Sequence, residues 1–171
     1  MLLLCSRRAA APAAEERYAG PWREGFTTST LERAIEIAVH AHAGRVDKAG
    51  APYILHALRV MLRQHDPAAR AAAVLHDVVE DSPWTLEQLR AEGFGDDVVG
   101  AVDALTHRPD ESYEDYLKRA SRHAIARRVK LADLEDNLDL TRISQPTEQD
   151  LARLARYRWA WEFLQVETPT G

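Results

Sequence analysis

Residues 71–75, Ala-Ala-Ala-Val-Leu, are apolar on every side of a helix and lead directly into a group of ionisable side chains. A helical segment that is apolar all round must be enclosed by other elements, so it predicts the central helix of a bundle. If this helix continues, Glu80 lies one turn after His76 and Asp81 one turn after Asp77. Carboxylates at a helix C-terminus beside a buried segment oppose the helix dipole and need a neutralising charge. We therefore expect a divalent cation at this position.

Helical spacing recurs on both sides of this segment, whereas no convincing strand alternation is found. Ser29-Thr30-Leu31-Glu32 has the form of a capping box, and it begins a helix that Gly44 can end. Asp66 and Pro67 supply the N-cap and the first-turn proline of the central helix. Other helices are predicted over about 53–64, 85–93, 98–105, 124–138 and 147–164, and one more begins at Ser112 and includes Leu117. The sequence predicts an all-α fold, a compact multi-helix bundle.

Length, charge and cysteine content exclude several classes of protein. The 171 residues suit one domain, and a net charge of −5 argues against a protein that wraps nucleic acid. No apolar run approaches the roughly 20 residues of a membrane span. Cys5 is the single cysteine, which excludes internal disulfides and fits a reducing cytoplasm. We predict a loosely ordered extension over residues 1–27 and a folded domain over 28–167, with no nucleic-acid or membrane partner.

Three separated pieces of the chain carry metal-binding side chains. His56 follows Tyr53-Ile54-Leu55, His76 and Asp77 form an adjacent pair, and Asp133 follows Lys130-Leu131-Ala132. Two imidazoles and two carboxylates form a mixed nitrogen and oxygen set that suits Mn²⁺, Fe²⁺, Co²⁺ or Zn²⁺ with open positions. A structural zinc site would more often be closed and rich in cysteine. We therefore expect a catalytic metal site.

These pieces belong to a longer set of motifs, which are His42-Ala43-Gly44, Gly50-Ala51-Pro52-Tyr53-Ile54-Leu55-His56, Leu75-His76-Asp77-Val78-Val79-Glu80-Asp81, and Val129-Lys130-Leu131-Ala132-Asp133 with Asn137. In this order and spacing the chain resembles the HD-domain phosphohydrolase superfamily. Within it, the chain is similar to the hydrolase domain of RelA/SpoT homologues, which degrade the alarmone ppGpp. The resemblance covers most of residues 29–164, and it implies that the folded domain is an HD-type metal-dependent hydrolase.

The resemblance also implies a role for individual positions. Its metal ligands, usually of one Mn²⁺, correspond to His56, His76, Asp77 and Asp133. The carboxylates that orient or deprotonate the attacking water correspond to Glu80 and Asp81. Its substrate contacts correspond to Lys48 for a phosphate, Asn137 for the sugar-phosphate region and Tyr157 for the nucleoside. The implied partner is a small nucleotide, and the implied activity is metal-dependent removal of a 3′-pyrophosphate.

Each of these positions also has a purely structural interpretation. Glu80 and Asp81 would then end a solvated helix, Lys48 would lie on the surface, and Asn137 and Tyr157 would serve a helix end and the core. Lys130 either lies near the metal or forms an ion pair. His42 shares a face with apolar residues and is expected to be buried and hydrogen-bonded. Further phosphate contacts are expected from Arg45, Arg142 and Arg153.

One position departs from the pattern of the guanosine-alarmone hydrolases. Asp47 stands where they usually have an arginine against the purine, and a carboxylate offers no cation–π contact. Adenosine alarmones are therefore considered beside guanosine ones, with Asp47 as an acceptor for a base amino group. The chain ends at residue 171, from which we expect a hydrolase without a synthetase domain. The alternatives are a nucleotidase or phosphodiesterase on other nucleotides, and a non-catalytic nucleotide-binding module.

Overall fold

The computed structural model describes residues 31–142 and 147–166, which form nine α-helices and one short 3-10 helix. The α-helices are α1 Leu31–Ala41, α2 Ile54–Leu62, α3 Pro67–Leu75, α4 Val78–Asp81, α5 Leu86–Ala91, α6 Asp96–Leu105, α7 Tyr113–Ser121, α8 Ala124–Leu138 and α9 Glu148–Val166, and the 3-10 helix is Leu140–Arg142. The one strand-like pairing within these residues is an isolated bridge between Val46 and Pro52. The predicted all-α fold is confirmed.

Helix α3 lies at the centre of the bundle, as its composition predicts. Residues 71–75 are at most 7% exposed, and α3 contacts α1, α2, α6 and α8. The small alanine side chains let these helices approach α3 closely, because helix packing distance depends on the side chains at the contact. A second, smaller apolar cluster joins α7, α8 and α9 around Leu117, Leu134 and Leu164. The larger apolar cluster includes residues 71–75, so it supports the C-terminal end of α3, where the ionisable side chains begin.

Side chains cap the first turns of α3 and α5, and the Asp66 cap of α3 was predicted from the sequence. The Asp66 carboxylate accepts a hydrogen bond from the backbone N–H of Ala69 at 2.8 Å, and Pro67 follows it in the first turn of α3. Thr85 and Gln88 form a reciprocal capping box at the start of α5. Such caps satisfy backbone N–H groups that have no partner within the helix. The predicted cap at Ser29 and Thr30 lies outside the described residues, as does the predicted extension over 1–27.

The prediction of one helix through the ionisable cluster is wrong. Helix α3 ends at Leu75 and α4 begins at Val78, with His76 and Asp77 between them. Asp77 has φ −102° and ψ −1°, a conformation typical of turns and active sites rather than of a helix interior. The His76 ring donates from Nδ1 to the carbonyl oxygen of Ala73 at 2.7 Å, which fixes its direction at the end of α3. The break separates the side chains that a continuous helix would stack.

A short loop between α1 and α2 presents Lys48. Gly44 and Gly50 have a φ of 79°, a backbone conformation that suits glycine. The bridge between Val46 and Pro52 closes the loop that contains Lys48. Asp47 accepts hydrogen bonds at Oδ1 from the backbone N–H groups of Ala49 and Ala51, at 2.9 and 3.0 Å.

None of the helices in the described ranges is both long enough and apolar enough to cross a bilayer.

Candidate metal centre

Three of the predicted metal ligands meet where α2, α3 and α8 converge. One ligand atom from each of His56, His76 and Asp133 lies within 4.8 Å of the others, and all three residues are buried. Asp133 Oδ1 lies 3.2 Å from His56 Nε2 and 3.9 Å from His76 Nε2. Atoms this close can share one cation, because metal–ligand bonds to nitrogen and oxygen are about 2.0–2.2 Å long.

Asp77, the fourth predicted ligand, lies beside this group of three and contacts His76. Its Oδ2 lies 2.9 Å from His76 Nε2, and the hydroxyl of Tyr53 donates a hydrogen bond to the same oxygen. The side chain of Asp77 is 23% exposed, whereas that of His76 is 3% exposed. The structure therefore brings together the four residues His56, His76, Asp77 and Asp133, with Asp77 on the side that opens to solvent. We call this group the His/Asp cluster.

The hydrogen bonds of the two histidines leave one lone pair on each ring directed into the cluster. Because His76 Nδ1 donates to Ala73 and His56 Nδ1 donates to Asp136, the neutral form of each ring carries its lone pair on Nε2. His76 Nε2 is buried; Asp77 Oδ2 lies 2.9 Å from it but outside hydrogen-bonding geometry, so this nitrogen makes no hydrogen bond within the described residues. Metal-binding imidazoles typically have this arrangement, with the second nitrogen bonded to a carbonyl or carboxylate. The donor set fits a divalent cation.

The electrostatics of the cluster also favour a positive charge at its centre. Burial lowers the pKa of His56, but hydrogen bonds to Asp133 and Asp136 outweigh it and raise the pKa to about 9. Burial likewise opposes charge on Asp133, yet Lys130 and the two histidines hold its pKa well below the usual value. Carboxylates in this position are ionised at neutral pH. A divalent ion would displace the histidine protons and take over their electrostatic role.

Asp136 is a supporting residue that was not predicted from the sequence. Its Oδ2 accepts from His56 Nδ1 at 2.8 Å, and both carboxylate oxygens accept from the guanidinium of Arg59 at 2.7 and 2.9 Å. It is 1% exposed and follows Asp133 by three residues on α8. That spacing places both acids on one face of the helix, and it was the signal available in the sequence.

Replacing Asp136 with asparagine is expected to weaken metal binding by about 10- to 100-fold, the usual effect of altering a group that orients a metal-binding histidine. The neutral amide keeps the shape of the side chain but removes the charge that fixes the His56 tautomer. Isothermal titration with Mn²⁺ measures the effect. Glu135→Gln is the control, because Glu135 neighbours Asp136 on α8 but bonds to Trp161 Nε1 at the surface. Equal affinities in both variants would contradict the role of Asp136.

Two further side chains hold Asp133 in place. Lys130 Nζ lies 2.8 Å from Asp133 Oδ2, and Lys130 is only 14% exposed at its side chain. Asn137 Nδ2 donates to Asp133 Oδ1 at 2.6 Å and to the Asp133 carbonyl oxygen at 3.0 Å. Lys130 therefore forms an ion pair and also lies beside the His/Asp cluster, so both interpretations of the sequence hold. Asn137 lines the cavity described below with its amide nitrogen already bonded to Asp133.

Glu80 and Asp81, the two carboxylates expected to act on the attacking water, have different surroundings. Glu80 is exposed at the cavity, where its carboxylate accepts a hydrogen bond from the backbone N–H of His107 at 3.1 Å. Asp81 is not among the residues that line this cavity. The Arg45 guanidinium lies 2.9 Å from Asp81 Oδ1 and also donates to the Asp81 carbonyl oxygen. Asp81 is therefore held by Arg45, whereas Glu80 lines the cavity.

A cavity of about 630 Å³ opens over the cluster. Its lining includes the three predicted substrate-contact residues Lys48, Asn137 and Tyr157. Arg153 and Arg156 of α9 also line it, and their guanidinium carbons lie 6.0 and 5.7 Å from the centre of the Tyr157 ring. Burial and the nearby Arg153 lower the pKa of Lys48. We call Lys48, Arg153 and Arg156 the basic wall. Arg156 was missed because surface arginines are common on helices.

Other expected positions have different surroundings. Arg45 is bonded to Asp81 rather than exposed in the cavity, and the side chain of Arg142 lies outside the described residues. His42 is buried as predicted, but the prediction that it is hydrogen-bonded is wrong within the described residues. Its Nδ1 lies 3.8 Å from Asp81 Oδ2, beyond hydrogen-bonding distance. Asp47 lines the cavity, and the backbone hydrogen bonds at its Oδ1 shape the Lys48 loop.

Comparisons with curated proteins show relatives that are several times longer than this chain. It is 34% identical over 154 residues to a probable GTP pyrophosphokinase of Mycobacterium leprae, covering 82% of this chain and 19% of that protein. It is 33% identical over 148 residues to a guanosine-3′,5′-bis(diphosphate) 3′-pyrophosphohydrolase of Haemophilus influenzae, covering 78% of this chain and 21% of that one. A protein with the same description from Aquifex aeolicus is 36% identical over 118 residues, which cover 64% of this chain and 17% of that protein. The chain thus spans about a fifth of their length.

A solved structure and a family model agree with these matches. The structure is described as a metazoan ortholog of SpoT that hydrolyses ppGpp, and it superposes with a TM-score of 0.68 at 23% identity. The match covers 85% of this chain and 90% of the other, so it shows a common all-α fold. A family model described as an HD domain matches residues 34–151, which contain all four residues of the His/Asp cluster. The chain belongs to the HD domain family.

Proposed function

We propose that this chain is a metal-dependent phosphohydrolase that removes the 3′-pyrophosphate of a guanosine or adenosine alarmone of the ppGpp or ppApp type. The observation that carries the proposal is the position of the His/Asp cluster at one end of a cavity with the basic wall on α9 and the Lys48 loop. Relatives described as 3′-pyrophosphohydrolases, and a structural neighbour described as hydrolysing ppGpp, support this choice of substrate. The products would be pyrophosphate and the 5′-phosphorylated nucleoside.

The four residues of the His/Asp cluster would hold one divalent ion, for which we propose Mn²⁺. Such an ion supplies Lewis acidity that lowers the pKa of water and offsets negative charge on phosphoryl oxygens. Imidazole and carboxylate ligands suit Mn²⁺ among several first-row metals. Lys130 and Asn137 keep Asp133 oriented, and Tyr53 does the same for Asp77. These contacts fix the ligands before substrate arrives, so little reorganisation is needed on binding.

Glu80 is the carboxylate that we propose as the proton acceptor from the attacking water. It is exposed in the cavity, and its bond to the His107 backbone holds it there while leaving carboxylate acceptor capacity free. For Asp81 we propose a supporting role, because its ion pair with Arg45 ties α4 to the loop between α1 and α2. Proton transfer in hydrolysis therefore rests on one acid of this pair.

The basic wall would bind the phosphate groups of the substrate. Arginine and lysine form strong charge-assisted hydrogen bonds to phosphate, and a local group of cations can bind an anion even in a chain with a net charge of −5. Tyr157, which carries both arginines near its ring, is the proposed surface for the nucleoside. With Asp47 Oδ1 bonded to its own loop, we propose that selection between guanine and adenine depends on other residues.

The direct test is to incubate pure protein and Mn²⁺ with ppGpp, ppApp and a panel of ordinary nucleotides, and to measure released pyrophosphate and phosphate. Pyrophosphate from either alarmone is the expected result. Phosphate from ordinary nucleotides alone would identify the second candidate, a nucleotidase or phosphodiesterase with the same metal site. Nucleotide binding without product under any divalent metal would identify a non-catalytic binding module.

Replacing Glu80 with glutamine is expected to lower kcat for the alarmone by about 10²- to 10⁴-fold, the usual contribution of a general base. The bound metal should remain, since Glu80 is outside the His/Asp cluster. Measurement of kcat together with the metal content per chain separates the two effects. Asp81→Asn is the comparison, and it should retain far more activity than Glu80→Gln. The reverse order of activities would mean that Asp81 is the proton acceptor.

We also propose that residues 28–167 form the hydrolase domain and that the protein acts in the cytoplasm. The described helices lie between Leu31 and Val166, and the residues of the site come from the loop before α2 through to α9. A single cysteine and a nucleotide substrate agree with a reducing, nucleotide-rich compartment.

A further inference from the structure

Two buried polar atoms around the cavity make no hydrogen bond within the described residues. They are the hydroxyl oxygen of Tyr113 and Nε of Arg153, and both residues line the cavity. Arg153 is 11% exposed at its side chain, and another of its guanidinium nitrogens, Nη1, lies 3.0 Å from Asp150 Oδ1. A buried donor without a partner is costly in a folded protein, so it commonly marks a place where a ligand or water supplies the acceptor.

Tyr113 contacts the basic wall and lies near Asp133 of the His/Asp cluster. The Arg156 guanidinium carbon is 5.6 Å from the centre of the Tyr113 ring, and the Tyr113 ring packs 6.0 Å from that of Tyr116. Lys130 and Asp133 are close enough to affect the ionisation of the hydroxyl. Burial raises the pKa of Tyr113, so at neutral pH the hydroxyl keeps its proton and remains a donor.

We propose that Tyr113 donates a hydrogen bond from its hydroxyl to a phosphoryl oxygen of the bound ligand and thereby positions that phosphate between the metal site and the basic wall. The inference rests on the proposed function for the presence of a phosphorylated ligand. A phosphoryl group fits because it accepts several hydrogen bonds and carries the negative charge that Lys48, Arg153 and Arg156 would neutralise. The Tyr113 hydroxyl is a neutral donor, so its hydrogen bond would fix the orientation of the phosphoryl group without adding charge to the site.

Tyr116 provides a matched comparison three residues along α7. Its hydroxyl is buried like that of Tyr113 but donates to the carbonyl oxygen of Leu105 at 2.8 Å. The Tyr116 hydroxyl therefore serves the fold, because it ties α7 to the end of α6. Substitution by phenylalanine removes one hydroxyl at a time and keeps the aromatic ring. The two variants therefore show whether each hydroxyl contributes to stability or to ligand binding. Tyr116→Phe should cost stability, whereas Tyr113→Phe should not.

The experiment measures the binding of inorganic pyrophosphate to the Mn²⁺-loaded full chain by calorimetry, with thermal unfolding of each variant without pyrophosphate. Tyr113→Phe is expected to weaken pyrophosphate binding by about tenfold, the effect of losing a hydrogen bond to a charged group, with an unchanged or higher Tm. Tyr116→Phe is expected to lower Tm while binding pyrophosphate within about twofold of the parent protein. In the alarmone assay, Tyr113→Phe should raise KM more than it lowers kcat.

Three results would overturn the role of Tyr113. They are unchanged pyrophosphate affinity in Tyr113→Phe, a fall in its Tm comparable to that of Tyr116→Phe, and absence of pyrophosphate binding by the parent protein. Failure of the proposed function gives a different result. In that case the parent protein releases no pyrophosphate from ppGpp or ppApp, yet pyrophosphate binding still depends on the Tyr113 hydroxyl.

Discussion

Substitution of His76 by asparagine is expected to remove the bound metal and to lower kcat for the alarmone by about 10³-fold or more, since a catalytic metal contributes several kcal/mol of transition-state stabilisation. The change is selective. The asparagine amide nitrogen can replace imidazole Nδ1 as the donor to the Ala73 carbonyl, but nothing replaces Nε2. Metal content per chain after Mn²⁺ loading and dialysis, measured beside alarmone turnover, tests both parts of this expectation.

The control for His76→Asn is His65→Asn, the same substitution at an exposed histidine outside the cavity. It should leave metal content and turnover unchanged. Circular dichroism of His76→Asn should show the helical content of the parent protein, because the substitution keeps the backbone contact at the end of α3. If the folded His76→Asn variant retained a full equivalent of metal, the ion would have to bind elsewhere than at the His/Asp cluster.

Substitution of Lys130 by methionine is expected to lower the free energy of unfolding by about 3–5 kcal/mol, the usual cost of removing one partner of a buried ion pair. Lys130 Nζ lies 2.8 Å from Asp133 Oδ2, and both side chains are largely buried. Burial opposes charge on Lys130, but Asp133 outweighs it and raises the pKa of the lysine well above its usual value. Methionine keeps the apolar stem and leaves the Asp133 carboxylate without its ammonium. Urea unfolding in the presence of a chelator measures the loss.

Lys118→Met is the matched control for this prediction. Lys118 pairs with Glu114 at 2.7 Å on the exposed face of α7, and its side chain is 42% exposed. Exposed ion pairs of this kind contribute at most about 1 kcal/mol, so the control should unfold close to the parent protein. Added Mn²⁺ should restore part of the lost stability in Lys130→Met, because a bound cation supplies the charge that Asp133 lacks. Equal unfolding free energies for Lys130→Met and Lys118→Met without metal would contradict the stabilising role of the Lys130–Asp133 ion pair.

The helices were predictable because their signals are local. Apolar spacing, Asp66 with Pro67, and the Thr85 and Gln88 capping box act within one or two turns of the chain, so α3 and α5 form where the sequence predicts them. The apolar character of residues 71–75 also determined that α3 is central. The break at His76 and Asp77 was not predicted, and the contact made there by the Asp77 side chain is with Tyr53, 24 residues earlier at the N-terminal end of α2.

The sequence by itself also determined which side chains form the His/Asp cluster, since their residue types and motif spacing are written in the chain. Only the tertiary structure decided how the surrounding residues are used. Arg45 bonds to Asp81 across a separation of 36 residues, and Asp136 supports His56 across 80 residues. Tyr113 and Tyr116 look alike in sequence, yet the Tyr116 hydroxyl has a backbone acceptor and the Tyr113 hydroxyl has no hydrogen-bond partner within the described residues. Such differences arise from partners distant along the chain, whose directions no local pattern encodes.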